Sequence, residues 1–297
     1  MSVQVTSRFL DLRALAALER MRFATRQRIE GTYSGRHRSR RLGGAGEFAD
    51  FREYSPGEDL RRLDWKVLAR TQRAFTRIYQ DETNLLCTLV VDASGSMRFG
   101  KDMSKLEYVQ YLSTALTHVI CHQQDQVGLA VVARGLQELL PTGSTAGHAE
   151  RMYEAIAGIT TAPFSDLEKG LRDLFLRQTR RGVLMILSDW LVDDPEGVFT
   201  VIRMFRHRLW EVIVLHIVHP NEERLPVGAA YRFEGLENEG RVDCTPAEIR
   251  ELYEGRFEAH AGLIRSSALA AGCDYLRVST ATPYLQTVGE FLVERTG

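Results

Sequence analysis

The chain has 297 residues, 44% of them hydrophobic, which is ample for one large core or two small ones. No run of about eighteen uncharged apolar residues appears, so a helical membrane span is excluded. The opening Met1-Ser-Val-Gln-Val-Thr-Ser-Arg8 also lacks the apolar region of a signal peptide. The formal net charge of −1 is unevenly spread: residues 1–80 carry 17 Lys/Arg against 9 Asp/Glu, and the remainder 21 against 30. A basic head on an acidic body suits attraction between the two parts, or to a partner, better than nucleic-acid binding.

In chain order, Leu12, Leu15, Ala16, Leu18 and Met21 recur at helical spacing with Arg on the other side, predicting an amphipathic helix over Leu10–Arg28. Residues 30–46 are rich in Gly, Ser and Arg and read as a mobile, basic loop. Residues 48–80 read as short alternating pieces around a Pro56-Gly57 turn, with a strand from Phe75 to Tyr79. From Leu85 onward strands and helices alternate, the mark of an α/β fold with a doubly wound, mostly parallel sheet. Strands are expected at Leu85–Asp92, Asp125–Ala133, Gly182–Asp189, Glu211–His219 and Asp274–Ser279, with a short edge strand at Leu136–Leu140. Helices are expected near Ser104–Gln123, Ala149–Gly158, Asp166–Gln178, Pro195–Arg208, Thr245–Ala271 and Pro283–Arg295, and a hairpin within Tyr231–Asp243. This divides the chain into an N-terminal part, 1–83, packing on an α/β domain, 84–297. Cys87, Cys121, Cys244 and Cys273 are scattered, with no C-x-x-C pair, and read as reduced packing residues of a cytosolic protein.

The chemistry concentrates where the first buried strand ends. Asp92-Ala-Ser-Gly-Ser96 sets one carboxylate and two hydroxyls, Asp92, Ser94 and Ser96, at alternate positions on a Gly-containing turn. Hard oxygen donors of this kind suit Mg²⁺; an ordinary strand-to-helix turn with a capping Ser is the plainer alternative. A second apolar run, Gly182–Asp189, also ends on an acid, Asp189. In a sheet ordered 3-2-1-4-5-6 the first and fourth strands are neighbours at the switch point, where ligands bind, so both acids face one crevice. The loop 159–171 offers Ser165, Thr160 or Thr161 as a further hydroxyl, Ser165 being best placed unless it is the N-cap of the following helix.

Asp92, Ser94, Ser96 and Asp189, with Ser165 where Thr is usual, resemble the von Willebrand factor A-type fold and its metal-ion-dependent adhesion site. Residues 46–70, with Phe48, Arg52, Tyr54, Arg61, Arg62, Trp65 and Arg70, resemble the signature of domain-of-unknown-function family fifty-eight, which precedes such a domain. The resemblance implies a non-enzymatic, cytoplasmic, Mg²⁺-dependent adaptor. Its protein partner would offer an acidic residue and be a MoxR-type AAA+ ATPase or that ATPase's client. In the signature segment, Arg52, Arg61 and Trp65 serve either to dock it on the α/β domain or to contact the partner. Trp190 either shapes the rim of the site or packs helix against sheet.

Two other classes compete. Gly95-Ser-Met-Arg-Phe-Gly-Lys101 approaches a nucleotide-binding P-loop, but Asp102 stands where that motif needs a hydroxyl for Mg²⁺. The Arg36–Arg41 run offers charge for nucleic acid, yet no aromatic interleaves it and no zinc-finger or helix-turn-helix spacing accompanies it. His118 and His122, four apart, lack the Glu of H-E-x-x-H and read as packing or surface residues.

Overall fold

Seven consecutive buried residues, Leu86–Asp92, form the middle of the molecule's larger sheet, as expected of an apolar run covered on both faces. The computed structural model describes residues 7–10, 16–24, 34–39, 47–55, 63–83, 85–225, 231–237 and 240–296. It divides into two compact units, Met1–Arg26 with Leu86–Gly297, and Gln27–Leu85.

The smaller unit holds β1 (Ser34–Ser39), β2 (Glu47–Glu53), α1 (Trp65–Thr71) and β3 (Phe75–Thr83), with both outer strands antiparallel to β3. β1 corrects the expectation of a loop over 30–46. An edge strand is held by backbone bonds to one neighbour and tolerates charge, so hydrophobic patterning does not reveal it. Helix α1, also unforeseen, begins where Asp64 accepts from the amides of Lys66 and Val67 at 2.9 and 3.1 Å.

The larger unit is a six-stranded sheet ordered β11-β8-β7-β4-β5-β6. Its strands are β4 (Leu86–Asp92), β5 (Gln126–Ala133), β6 (Gly135–Gly143), β7 (Val183–Ser188), β8 (Glu211–Val218) and β11 (Asp274–Ser279). All are parallel except β6, which returns antiparallel along β5. Counted within the unit this is the order 3-2-1-4-5-6, with β4 and β7 adjacent across the switch point, as the crevice argument requires. The helices are α2 (Lys105–His122), α3 (Ala146–Gly158), α4 (Leu167–Arg177), α5 (Pro195–His207), the single turn α6 (Pro220–Glu223), α7 (Pro246–Ala270) and α8 (Tyr284–Thr296). Leu171 and Leu174 of α4, Phe199 and Ile202 of α5, and Ile264 of α7 share one core with Val90, Ile186 and Val214 of the sheet. Helix α2, which packs with α3 and α8, covers the other face. The hairpin β9 (Tyr231–Glu234) and β10 (Arg241–Cys244) stands outside the sheet.

The N-terminal segment belongs with this larger unit, and its helix is shorter than the spacing predicts. Only 16–18 are helical among the described residues, 19–20 turn, and 21–24 are irregular. The carbonyl of Met21 accepts from Gln123 Nε2 at 3.2 Å, the Phe23 amide donates to Gln123 Oε1 at 3.2 Å, and the Ala24 carbonyl accepts from Arg295 at 2.9 Å. These tertiary bonds replace the intrahelical ladder and bury Phe9 and Phe23.

His216 lies buried on β8, with Nδ1 2.8 Å from the Tyr275 hydroxyl. Burial pulls its pKa down to about 4, helped by Arg277 and opposed by Asp189. The unfolded chain takes up the proton near pH 6.5 and the folded protein only near 4. His216 therefore contributes stability above that window and loses it as pH falls through it, by about 3 kcal/mol at full extent. Urea midpoints near pH 7 and near pH 4.5 are expected to show a smaller acid loss for His216→Gln than for the parent protein. Equal losses would contradict the assignment.

Candidate metal centre

The strand β4 delivers Asp92 to its carboxyl edge, and the chain then turns through a single 3-10 turn at Gly95–Arg98. Asp92 is 1% exposed, and its two oxygens are aimed by different elements. The Ser94 amide donates to Oδ1 at 2.9 Å, and the Ser188 hydroxyl at the end of β7 donates to Oδ2 at 2.6 Å. Ser188 also receives the Trp190 amide at 3.0 Å, which fixes the backbone around Asp189. The hydroxyl oxygens of Ser94 and Ser96 stand 3.0 Å apart, and the Ser96 hydroxyl is near enough to Asp189 to favour its charged form.

The third stretch arrives through the backbone. The Ala162 amide donates to the Ala93 carbonyl at 2.8 Å, and the Asp166 amide to the Ala133 carbonyl at 2.6 Å. The loop before α4 is thereby laid beside the Asp92–Ser96 turn. The N-cap of α4 is Asp166, which accepts from the Lys169 amide, so the capping alternative for Ser165 falls. Ser165 instead has a buried Oγ without a hydrogen-bond partner, and it lines, with Ser96 and Glu237, a cleft of about 490 Å³. Ser113, Thr114 and Thr117 of α2 also carry buried hydroxyls without a partner, so what sets Ser165 apart is its place on the cleft beside Ser96, where an ion could satisfy it.

Electrostatics favour a cation. Burial, and next the neighbouring charge of Asp189, push Asp92 up to about 6, against the bonds from Ser188 and Ser94. Burial also opposes the charge of Asp189, but Lys105 outweighs it and the pKa is lowered. Lys105, at the first position of α2, is wholly buried, donating from Nζ to Asp189 Oδ2 at 2.7 Å and to Glu222 of α6. Its pKa is raised despite burial, by Asp189 and then Glu222, so it remains an ammonium. Glu222, by contrast, is raised by burial.

The spacing of the hydroxyl donors suits Mg²⁺. Octahedral bonds of about 2.0–2.1 Å place neighbouring oxygens about 2.9 Å apart, and Ser94 and Ser96 hold that separation. Among the described residues no group of three or more His, Cys, Asp and Glu is gathered as a metal cluster. The candidate is therefore an oxygen site in which hydroxyls supplement two acids, and the residues fit a hard divalent cation.

Trp190 is 0% exposed, stacked on Phe199 at 5.3 Å with φ of 58°, and so is a packing residue and not a rim contact. The P-loop alternative fails: α2 begins at Lys105, four residues beyond Lys101, and the Ser96 amide is taken by Glu237 at 3.0 Å, where a phosphate would need it. Trp65 is 61% exposed; Arg52 lies on β2, and Arg61 falls outside the described residues, as do Arg40 and Arg41. His118 packs on Tyr153, and all four cysteines are free. Ser188, Lys105, Glu222 and Glu237 escaped the sequence reading. A signal existed for one of them: a Lys in the first turn of a helix opposes the helix dipole and asks for a carboxylate partner.

An uncharacterized protein of Mycobacterium tuberculosis, Rv1480, is 27% identical over 290 residues, covering 96% of this chain and 90% of the relative. Similar solved structures include the conserved hypothetical protein BatB from Bacteroides thetaiotaomicron, at 17% identity and a TM-score of 0.49 over 72% of this chain and 99% of that one. They also include a von Willebrand factor type A protein from Catenulispora acidiphila, at 12% identity and a TM-score of 0.41 over 74% and 43%. The doubly wound order stands on the strand pairing itself. Among the described residues, no helix is long and apolar enough to cross a membrane. The family model described as "Protein of unknown function DUF58" matches residues 50–262, and the chain belongs to that family.

Proposed function

We propose that this protein is a binding module, not an enzyme, whose site at the β4–β7 edge holds Mg²⁺ and captures an acidic side chain of a protein partner. The observation that carries this reading is the pair of hydroxyls of Ser94 and Ser96, 3.0 Å apart, on the turn that follows Asp92, a buried carboxylate that feels the charge of a second one, Asp189. A bound cation supplies an electrophilic position for the partner's carboxylate. The chain's own residues do the rest. Ser188 and the Ser94 amide hold Asp92, Lys105 holds Asp189, and Ser165 closes the side of the cleft. The family resemblance supports a MoxR-type AAA+ ATPase, or its client, as that partner, and the cytoplasm as the place of work. Trp65, exposed on α1, is the aromatic anchor the family signature offers to it.

Addition of Mg²⁺ is expected to raise stability by about 2.7 kcal/mol once the ion exceeds its Kd about a hundredfold. Thermal unfolding should show that rise in the parent protein and lose it in Asp92→Ala. Ser94→Ala should weaken it. Co-purification of a MoxR-type ATPase should depend on Mg²⁺ and disappear in EDTA; capture that persists in EDTA and in Asp92→Ala would refute the reading.

A further inference from the structure

The Ser96 amide donates to Glu237 Oε1 at 3.0 Å, across 141 residues of sequence. Glu237 lies between β9 and β10, at a turn where the Gly235 amide donates to the Gly240 carbonyl at 2.8 Å. The contact is not a solitary surface touch. Arg98 donates to the Leu236 carbonyl at 2.8 Å. A Cβ on Gly95 would meet that carbonyl oxygen at 2.6 Å and Glu237 Cγ at 2.8 Å, so the backbones approach more closely than any side chain at 95 would allow. Glu237 and Ser165 line the same cleft. A hairpin outside the sheet is thus seated on the Asp92–Ser96 turn, with a carboxylate bonded to the Ser96 amide and lining the same cleft as Ser96.

We propose that Glu237 is an in-chain ligand of this centre: its carboxylate takes the cation position that a partner's acidic side chain must enter, so hairpin and partner compete for one place. The inference rests on the cation reading proposed above and adds a fourth stretch of chain to the ends of β4 and β7 and the loop before α4. It follows from charge and reach. Asp92 and Asp189 leave a divalent ion attracted to a further anion, and Glu237 Oε1 is one hydrogen bond from the backbone of Ser96. The same geometry explains the residue at 95, since only glycine admits Leu236 and Glu237 to the turn.

Mn²⁺ binding, followed by the electron paramagnetic resonance signal of the free ion, tests this on the intact chain. In Glu237→Ala the affinity is expected to fall at least about tenfold, and sodium acetate should restore most of it while leaving the parent protein unchanged. Glu237→Gln keeps the hydrogen bond to the Ser96 amide but not the charge. It should bind Mn²⁺ weakly and resist rescue by acetate, because the amide still fills the position. Parental affinity in either variant would overturn the role of Glu237 while leaving the centre intact. Absence of Mn²⁺ binding by the parent protein would overturn the centre, and this ligand with it.

Discussion

Replacing Lys105 by Met is expected to cost about 3–5 kcal/mol of folding stability, the range for stripping one partner from a buried ion pair. The side chain is 0% exposed and lies between Asp189 and Glu222, whose side chains are 3% and 11% exposed. Its stem fills space that Met also fills, and its ammonium sits 5.7 Å from the Phe99 ring centre. Volume is therefore nearly kept, and the loss is electrostatic. Without the ammonium, Asp189 is left buried near Asp92 with no cation, and Glu222 keeps the His219 amide but loses its ion pair. Pairing the change with Glu222→Gln should recover part of the loss, because one uncompensated acid is removed with the base. Urea unfolding of the three proteins measures this. A loss under 1 kcal/mol in Lys105→Met would mean that the pair contributes little.

Arg295→Met is expected to be as severe, about 3–5 kcal/mol by the same physics, but far from the metal centre. Arg295 is 7% exposed and closes the larger unit at one point. It donates to Asp274 Oδ2 of β11 at 2.7 Å, to Glu211 at the start of β8, and to the Ala24 carbonyl of the N-terminal segment at 2.9 Å. The guanidinium also lies 5.3 and 5.5 Å from the ring centres of Phe23 and Phe291. Arg295→Lys keeps the charge but not the planar fork, and should fall between the parent and Arg295→Met. Glu211→Gln combined with Arg295→Met should recover stability, since the buried acid is then neutral. Chemical denaturation separates these outcomes. If Arg295→Lys were as stable as the parent, the three-way bond geometry would not matter.

The legible part of the fold is the part that obeys simple periodicity. Val90, Val91, Leu184 and Ile186 sit in uninterrupted apolar runs, and such runs announce buried parallel strands. Their order followed from the switch-point rule, and Asp92, Ser94, Ser96 and Asp189 followed from their positions at strand ends. Ser165 was legible only as a candidate, since a Ser before a helix is also a common cap; Asp166 takes that role. What stayed hidden depends on long-range pairing. β1 is made of polar residues and exists through its ladder to β3. The helix expected to reach Arg28 gives way because Gln123 and Arg295 claim its backbone. Lys105 and Glu222 meet across 117 residues, and Glu237 and Ser96 across 141, distances over which spacing carries no information. Trp190 was legible as either a rim contact or a packing residue, and the packing reading holds; its place against Phe199 goes with the left-handed backbone at that residue.

A crystal grown with Mn²⁺ tests the central claim most directly, because the ion's anomalous scattering locates it without assumption. The account predicts one ion at the β4–β7 edge, bound through the side-chain oxygens of Asp92, Ser94 and Ser96 at about 2.0–2.2 Å, a spacing close to that of Mg²⁺. An anomalous map without a peak among those oxygens, at Mn²⁺ concentrations that saturate binding in solution, would contradict it.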